Sequence, residues 1–171
     1  MRMEIAIRPE RPGDCTAIRQ VLLSAFPTEQ EANLVDRLRL HGRLIVSLAA
    51  ERGGEIIGQI AFSPVTVHGA RADVYGAGLA PLAVRPEWQR RGVGAQLVRA
   101  GVAACERAGV GFIVLLGEPE YYRRFGFLKA TLLGLDNEYG ADDAFMALEF
   151  FPQAVVAGTV RYAPEFNELQ V

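Results

Sequence analysis

Apolar residues at the start of the chain recur at two different spacings, which predict one short strand and two helices. Alternation over Met3–Ile7 is typical of a strand. Apolar positions between 18 and 25 follow helical spacing, and Pro27 ends that segment. Thr28 and Glu31 match a capping box, so a second helix is predicted to begin there.

The middle of the chain predicts a hairpin, a third strand, a long helix and a buried strand. Gly53 and Gly54 join the two hairpin strands, and Gly109 closes the helix. The predicted bounds are 44–51 and 56–67 for the hairpin strands, 75–84 for the third strand, 92–109 for the helix and 112–116 for the buried strand.

The last third predicts smaller elements: a short helix near 118–125, weaker strands near 128–133 and 144–150, and a loop with one strand after Pro152. Strands and helices alternate without a linker or repeat, which indicates one α/β domain. We expect residues 1–151 to form this domain and residues 152–171 to be a C-terminal extension packed on it.

Composition excludes several classes of protein. A net charge of −2 over 171 residues is unlike a general nucleic-acid binder. No apolar run is long enough to span a membrane, and the N-terminus is unlike a signal peptide, so a cytoplasmic location is expected. Cys15 and Cys105 lack metal or redox spacing and are predicted to be buried free thiols. No metal site is expected.

The segment from Leu82 to Ala95 carries the strongest chemical signal in the chain. An apolar strand ends at Arg85-Pro86, and a turn with two glycines then leads into the long helix. Such a turn presents free backbone N–H groups at a helix N-terminus, which suits a phosphate ligand. Arg90 and Arg91 add cationic donors for phosphate oxygens. The segment therefore predicts a diphosphate site.

Pro81 lies inside the strand that precedes this turn. Proline cannot donate to a β ladder, so it belongs at an edge or a bulge. Either Pro81 marks an irregular strand end, or a bulge separates the strand from its neighbour. The bulge would leave the backbone of Leu82–Val84 free to pair with an extended ligand.

Two motifs resemble those of the GNAT acetyltransferase superfamily. Gln89-Arg90-Arg91-Gly92-Val93-Gly94 is similar to the family's acetyl-coenzyme A signature, Gln/Arg-x-x-Gly-x-Gly/Ala. Tyr121–Phe127 resembles the later Tyr-x-x-x-Gly-Phe motif, and the order of elements agrees from Glu4 to Phe150. The run from Gly117 is similar to a bacterial branch of predicted acetyltransferases.

The resemblance implies a single-domain fold with a mixed central sheet, splayed central strands and flanking helices. It implies an N-acetyltransferase that uses acetyl-coenzyme A as co-substrate, without a metal. The strand before the turn would pair with the pantetheine arm, and amides of the turn would bind the pyrophosphate. The cofactor-binding residues implied are Leu82, Ala83, Val84, Gln89, Arg90, Arg91, Gly92, Val93, Gly94 and Ala95.

The same resemblance makes Tyr122 the catalytic acid that protonates the departing thiolate. A tyrosine, with a pKa of about 10, could supply a proton to a thiolate, and the alternative is an aromatic wall residue without a proton role. Direct attack by the amine in a ternary complex fits better than a covalent intermediate, because neither cysteine lies in a visible nucleophile–base arrangement.

A general base is not evident in the sequence. The strand over 75–84 contains no acidic residue. Glu29, Glu31, Asp36 and Glu118 are candidates by element position only, and each also reads as a solvated helix charge. The acidic stretch 136–143 indicates a surface loop, or a segment that recognises a cationic amine.

Two functions remain at this point. The first is transfer of an acetyl group to a small-molecule or peptide primary amine. The second is a non-catalytic module that binds acyl-coenzyme A and regulates another process. No nucleic-acid or membrane partner is expected, and the sequence leaves open whether the chain forms a homodimer.

Overall fold

The computed structural model describes residues 4–69 and 75–169, and the structural statements below concern those residues. Met3, the predicted start of the first strand, lies outside them, and the observed strand begins at Ala6. The strands and α-helices in chain order are β1 Ala6–Pro9, α1 Cys15–Ala25, α2 Gln30–Leu40, β2 Val46–Arg52, β3 Glu55–His68, β4 Gly76–Val84, α3 Val93–Arg107, β5 Phe112–Leu116, α4 Pro119–Arg123, β6 Leu128–Lys129, β7 Leu135–Asn137, β8 Phe145–Glu149 and β9 Gly158–Arg161.

The main sheet has the strand order β1-β2-β3-β4-β5-β8-β6. Its neighbouring strands run antiparallel except β4 and β5, which are parallel. Strand β9 pairs with the far end of β3 and, in parallel, with β7. This mixed open sheet with flanking helices confirms the predicted fold class.

Helices cover both faces of the sheet, and alternate strand residues supply the two cores. On one face, Leu97 and Val98 of α3 pack with Leu48 of β2. On the other face, α1 and α2 pack over Ala49 and Ala83. Strand β5 is buried from both sides, since residues 112–115 are fully inaccessible, which confirms the prediction from its continuous apolar run.

Glycines at two predicted turns adopt the expected left-handed backbone. Gly53 and Gly54 have φ values of 59° and 82° between the paired residues Arg52 and Glu55. Those angles fit a tight two-residue hairpin turn. Gly109 has a φ of 84° just after α3, which confirms it as the residue that closes the helix.

The predicted capping box of α2 is wrong. The helix begins at Gln30, and its N-cap position is Glu29, which makes no side-chain capping hydrogen bond. Because the N-cap position lies one residue later than predicted, Glu31 is the second residue of the helix, and the spacing of a capping box is not met. The Thr28 hydroxyl instead accepts a hydrogen bond from the Gln30 amide at 3.4 Å.

Two segments near the C-terminus differ from their predicted structure because of local hydrogen bonds. The predicted strand at 128–133 is shortened to β6, because residues 130–133 form a 3-10 turn. The acidic loop at 136–143 includes the end of β7, where the Asn137 side chain accepts from the amides of Tyr139 and Ala141. Lys129 pairs with Asp142 and Asp143 at 3.2 and 3.1 Å.

The two cysteines differ in burial. Cys105 is fully buried under the sheet, and this burial raises the pKa of its thiol to about 12. Cys15 at the start of α1 is only partly buried, so the prediction of two buried thiols is wrong for that residue. Cys15 is less buried than Cys105 because it is the first residue of an outer helix.

The C-terminal residues pack into the sheet's second core. Tyr162 and Phe166 are 9% and 4% exposed and lie in one cluster with Leu34 and Leu38 of α2. The predicted strand after Pro152 is β9. The division at residue 151 stays a prediction.

We expect Gly101→Ala to lower the free energy of unfolding by about 1–3 kcal/mol, because overpacking a core strains it. A Cβ at Gly101 would lie 2.5 Å from the Phe62 ring. The better helix propensity of alanine, about 1 kcal/mol, offsets only part of this. Urea denaturation measures the change. In a Phe62→Leu background the effect should shrink, and an equal loss in both backgrounds would contradict this packing.

Candidate active site

Strands β4 and β5 separate after a short parallel contact. They pair only where Gly76–Gly78 meets Phe112–Val114. On the other side of β4, pairing with β3 slips by one residue, so that Ala80 and Pro81 lie opposite Ala61. Of the two alternatives for Pro81, an irregular strand end and a bulge, the structure has the bulge. Among the described strands, none pairs with the β5-facing edge of Leu82–Val84.

The turn after β4 leaves the N-terminus of α3 without a side-chain cap. Gly92 is the N-cap residue, with a φ of 83°. The first i→i−4 bond runs from the Gln96 amide to the Gly92 carbonyl at 3.1 Å, so the earlier amides of the helix have no helical acceptor. Gln89 Nε2 donates to the Val84 carbonyl at 2.9 Å and ties the turn to the strand.

A groove of about 460 Å³ follows the end of β4 and the start of α3. It brings together seven of the ten predicted cofactor-binding residues and adds two from α4 and the turn after it. The lining residues are Leu82, Val84, Gln89, Arg90, Gly92, Gly94, Ala95, Tyr121 and Arg124.

The other three predicted residues do not line the groove with their side chains. Ala83 and Val93 are 2% and 1% exposed and belong to the cores beneath opposite faces of the sheet. The Arg91 guanidinium lies 5.1 Å from the centre of the Trp88 ring. For Ala83 and Val93, a role in binding the cofactor would fall to backbone atoms, and the Arg91 guanidinium lies over Trp88, outside the groove lining.

Tyr121 and Arg124 are groove residues that the sequence did not predict. A Cβ placed on Gly94 would lie 2.9 Å from the Tyr121 hydroxyl, so that hydroxyl faces the start of α3. The Arg124 guanidinium lies 4.6 Å from the centre of the Tyr121 ring. The adjacent arginines of the Tyr-Tyr-Arg-Arg run were the available signal, because a second cationic segment beside a phosphate turn fits an anionic ligand.

Tyr122 on α4 is held by a glycine and by neighbouring rings. A Cβ on Gly117 would lie 2.5 Å from the Tyr122 ring, so only glycine leaves room for it. Its ring meets those of Tyr121 and Phe127 edge-on at 4.9 and 5.9 Å. Burial, with a smaller effect of Tyr121, raises the pKa of Tyr122 to about 12. Tyr122 is therefore protonated at neutral pH.

A second cavity, of about 370 Å³, lies beside the groove and shares Leu82 with it. We call it the aromatic cavity. Of the four candidate bases, Glu31 alone lines it. The complete lining is Phe26, Glu31, Leu34, Leu79, Ala80, Pro81, Leu82, Leu116, Tyr122, Tyr139, Tyr162, Phe166 and Leu169.

The C-terminal wall of the aromatic cavity was missed at the sequence level. Tyr162, Phe166 and Leu169 come from the extension after residue 151. Their aromatic and apolar character in an otherwise loop-like tail was the only signal, and it does not say which core they join. Another part of the wall comes from the α1–α2 junction, through Phe26 and Glu31.

Residues 4–69 and 75–169 contain no group of three or more His, Cys, Asp or Glu side chains arranged to hold a metal ion. His41 Nδ1 lies 2.7 Å from Oε1 of the buried Glu165. No described helix has the length and apolar character needed to cross a membrane.

The sequence profile of the Acetyltransferase (GNAT) family matches residues 14–127. Since this covers more than half of the chain, the chain belongs to the GNAT acetyltransferase family, as the two motifs predicted. It is therefore an acetyltransferase, and the enzyme class expected from the sequence is confirmed.

Particular relatives extend the similarity over almost the whole chain. The chain is 38% identical over 165 residues to the uncharacterized N-acetyltransferase YhbS of Escherichia coli (strain K12), covering 94% of this chain and 98% of YhbS. The crystal structure of YhbS in complex with CoA has a TM-score of 0.93 at 34% identity, covering 100% of this chain and 96% of that one. A GNAT family acetyltransferase from Brucella melitensis in complex with acetyl-CoA has a TM-score of 0.81 at 38% identity, covering 97% and 100%.

The raised pKa of Tyr122 predicts a loss of stability at alkaline pH. In the unfolded chain a tyrosine ionises near pH 10, whereas folded Tyr122 holds its proton to about pH 12. Its contribution is therefore complete below pH 10 and is lost as the pH rises through that window. Between pH 9 and pH 11, the free energy of unfolding of the wild type should fall by about 1 kcal/mol more than that of Tyr122→Phe. Denaturant unfolding at both pH values measures this, and parallel losses would contradict it.

Proposed function

We propose that the protein transfers an acetyl group from acetyl-CoA to a primary amine by direct attack within a ternary complex. The observation that carries the proposal is that the groove and the aromatic cavity meet at Leu82, where β4 has separated from β5. The groove offers backbone and cationic donors to the cofactor, and the aromatic cavity receives the acceptor. The CoA and acetyl-CoA bound by the two structural relatives support the choice of cofactor.

The groove offers a separate contact to each part of the cofactor. The unpaired edge of Leu82–Val84 suits the amides of a pantetheine arm, because an extended chain can add to a strand edge. The amides at the start of α3, which precede the first helical bond from Gln96, suit the pyrophosphate. Arg90 and Arg124 line the same groove and add positive charge.

Transfer then needs a stabilised oxyanion and a proton for the leaving sulfur. Backbone N–H groups on the free edge of β4 suit the oxyanion. Tyr122 lines the aromatic cavity and carries its proton at neutral pH. Its pKa of about 12 keeps the proton on the hydroxyl until a thiolate departs beside it.

A covalent acetyl-enzyme is not needed for this reaction. Neither Cys15 nor Cys105 lines the groove or the aromatic cavity. Cys105 is fully buried, and its raised thiol pKa leaves little thiolate for attack. Direct transfer requires both substrates at once, which two adjoining cavities allow. A cytoplasmic location and a homodimer stay predictions from the sequence.

Gly92→Ala should weaken CoA binding at least about tenfold, because a Cβ enters the groove beside the uncapped amides. Gly109→Ala is the matched control. The two glycines have φ values of 83° and 84°, and a Cβ on either meets no atom within 4 Å. Both variants should therefore lose similar stability, about 1–2 kcal/mol. Calorimetric titration with CoA measures affinity, and equal affinities for the two variants would count against this binding site.

Tyr122→Phe should reduce kcat by about 100-fold or more, because the thiolate would leave without its acid. The KM for acetyl-CoA should change little, since the phenyl ring still packs on Gly117. Thiol release with a panel of primary amines measures both constants. Tyr75→Phe removes a hydroxyl from a side chain that is 48% exposed and outside both cavities, and it should behave as wild type. An unchanged kcat for Tyr122→Phe would remove the acid role.

A further inference from the structure

The aromatic cavity combines ring surfaces with one ionisable acid. Phe26, Tyr139, Tyr162 and Phe166 contribute rings in addition to Tyr122. Within the lining that the structure describes, Glu31 is the one side chain that carries a formal charge at neutral pH. Aliphatic side chains and the bulge of β4 form the rest of the wall. Such a surface attracts a cation with an apolar body, because aromatic faces and a carboxylate both favour positive charge.

Two polar atoms of this lining are buried without a hydrogen-bond partner. They are Oε2 of Glu31 and the hydroxyl of Tyr162. Tyr162 is only 9% exposed, and burial raises the pKa of its hydroxyl far above the ordinary value. Buried polar groups in native proteins are normally paired, so two orphans on residues that line one cavity are candidate contacts for a ligand.

The fold explains why Glu31 is available. It is not used as a helix cap, because α2 begins too late for the capping box. The nearby acids are occupied elsewhere: Glu29 lies 3.8 Å from Arg19, and Asp36 lies 2.7 Å from Arg19 and 3.0 Å from Arg39. Leu34, one turn after Glu31 on α2, also lines the cavity, so this face of the helix points into it.

We propose that the acceptor is a compact monoamine with an apolar body, such as an arylalkylamine or alkylamine, whose ammonium group is bound by Glu31 and the Tyr162 hydroxyl oxygen. The inference rests on the proposed acetyl transfer and names its substrate class. The ammonium donates hydrogen bonds to both orphan oxygens, and the apolar body lies among the rings. A volume of about 370 Å³ suits a molecule of this size.

The charge of the lining disfavours other amines. The carboxylate of a free amino acid would be buried near Glu31 without a cation to pair with it. The second ammonium of a diamine would be buried without a second acid. Glu138, near the cavity, already accepts a hydrogen bond from the Tyr162 amide at 3.1 Å. The site therefore selects one positive charge.

The bound ammonium must lose a proton before it can attack. That proton passes to the Glu31 carboxylate, and the neutral nitrogen adds to the thioester carbonyl. The C–N bond forms, the C–S bond breaks, and the thiolate takes the Tyr122 proton. Release of the Glu31 proton to solvent and return of the amine's second proton to Tyr122 restore both residues, with one net proton released.

Glu31→Gln tests the anchor with a near-isosteric side chain. With phenethylamine as acceptor, kcat/KM should fall at least about 100-fold, because a charged hydrogen bond is lost. Affinity for CoA should stay within about twofold, since Glu31 does not line the groove. Glu29→Gln, on an acid that is 69% exposed in the same chain segment, is the control and should match wild type. Unchanged kcat/KM in Glu31→Gln would overturn the proposal.

A second variant separates binding from folding. Tyr162→Phe keeps the ring packed on Gly78 and removes only the orphan hydroxyl. Phenethylamine affinity in the presence of CoA, measured by calorimetry, should fall about three- to tenfold. If Glu31→Gln does not fold, loss of phenethylamine affinity in this variant still supports the site, and wild-type affinity overturns it.

Matched amines test the substrate class. Phenylalanine differs from phenethylamine by a carboxylate, and cadaverine differs from pentylamine by a second ammonium. Wild-type kcat/KM should be at least about 100-fold higher for the first member of each pair, because a buried unpaired charge is costly. Equal values would overturn the inference and leave acetyl transfer intact. If CoA itself does not bind to folded protein, the proposed function fails instead.

Discussion

The separation of β4 from β5 is the constraint on which the site depends. Three residue pairs join the two strands, and the bulge at Ala80 and Pro81 then turns β4 along β3 alone. One consequence is a strand edge inside the protein whose backbone groups have no strand partner. Such an edge is unfavourable unless another group pairs with it. The other is geometric: Leu82 lies between two cavities, and α3 begins where the freed strand ends.

Glycines leave the space that three aromatic rings occupy in this part of the fold. Tyr122 occupies the space beside Gly117, Tyr162 the space beside Gly78, and Phe112 the space beside Gly76. Each ring therefore lies against a glycine on or next to the two central strands. Tyr122 and Tyr162 line the aromatic cavity, so these strands also position two hydroxyl groups there, whereas Phe112 packs where the strands are still paired.

Local patterns predicted the fold and the groove because both depend on short segments. The hairpin at Gly53-Gly54, the strand over 112–116 and the turn from Gln89 to Ala95 are each contiguous in sequence. The aromatic cavity is assembled from segments more than 130 residues apart, from Phe26 to Leu169, and no periodicity links them. The spacing of Glu31 from Thr28 predicted a capping box. The later start of α2 in the structure shows that these residues do not form one.

The described residues after 151 contribute Tyr162, Phe166 and Leu169 to the aromatic cavity and none to the lining of the groove. Its strand β9 is attached at the far end of β3, away from the turn at Gly92. Substitutions in this tail can therefore reshape one wall of the aromatic cavity, while the lining of the groove keeps its composition.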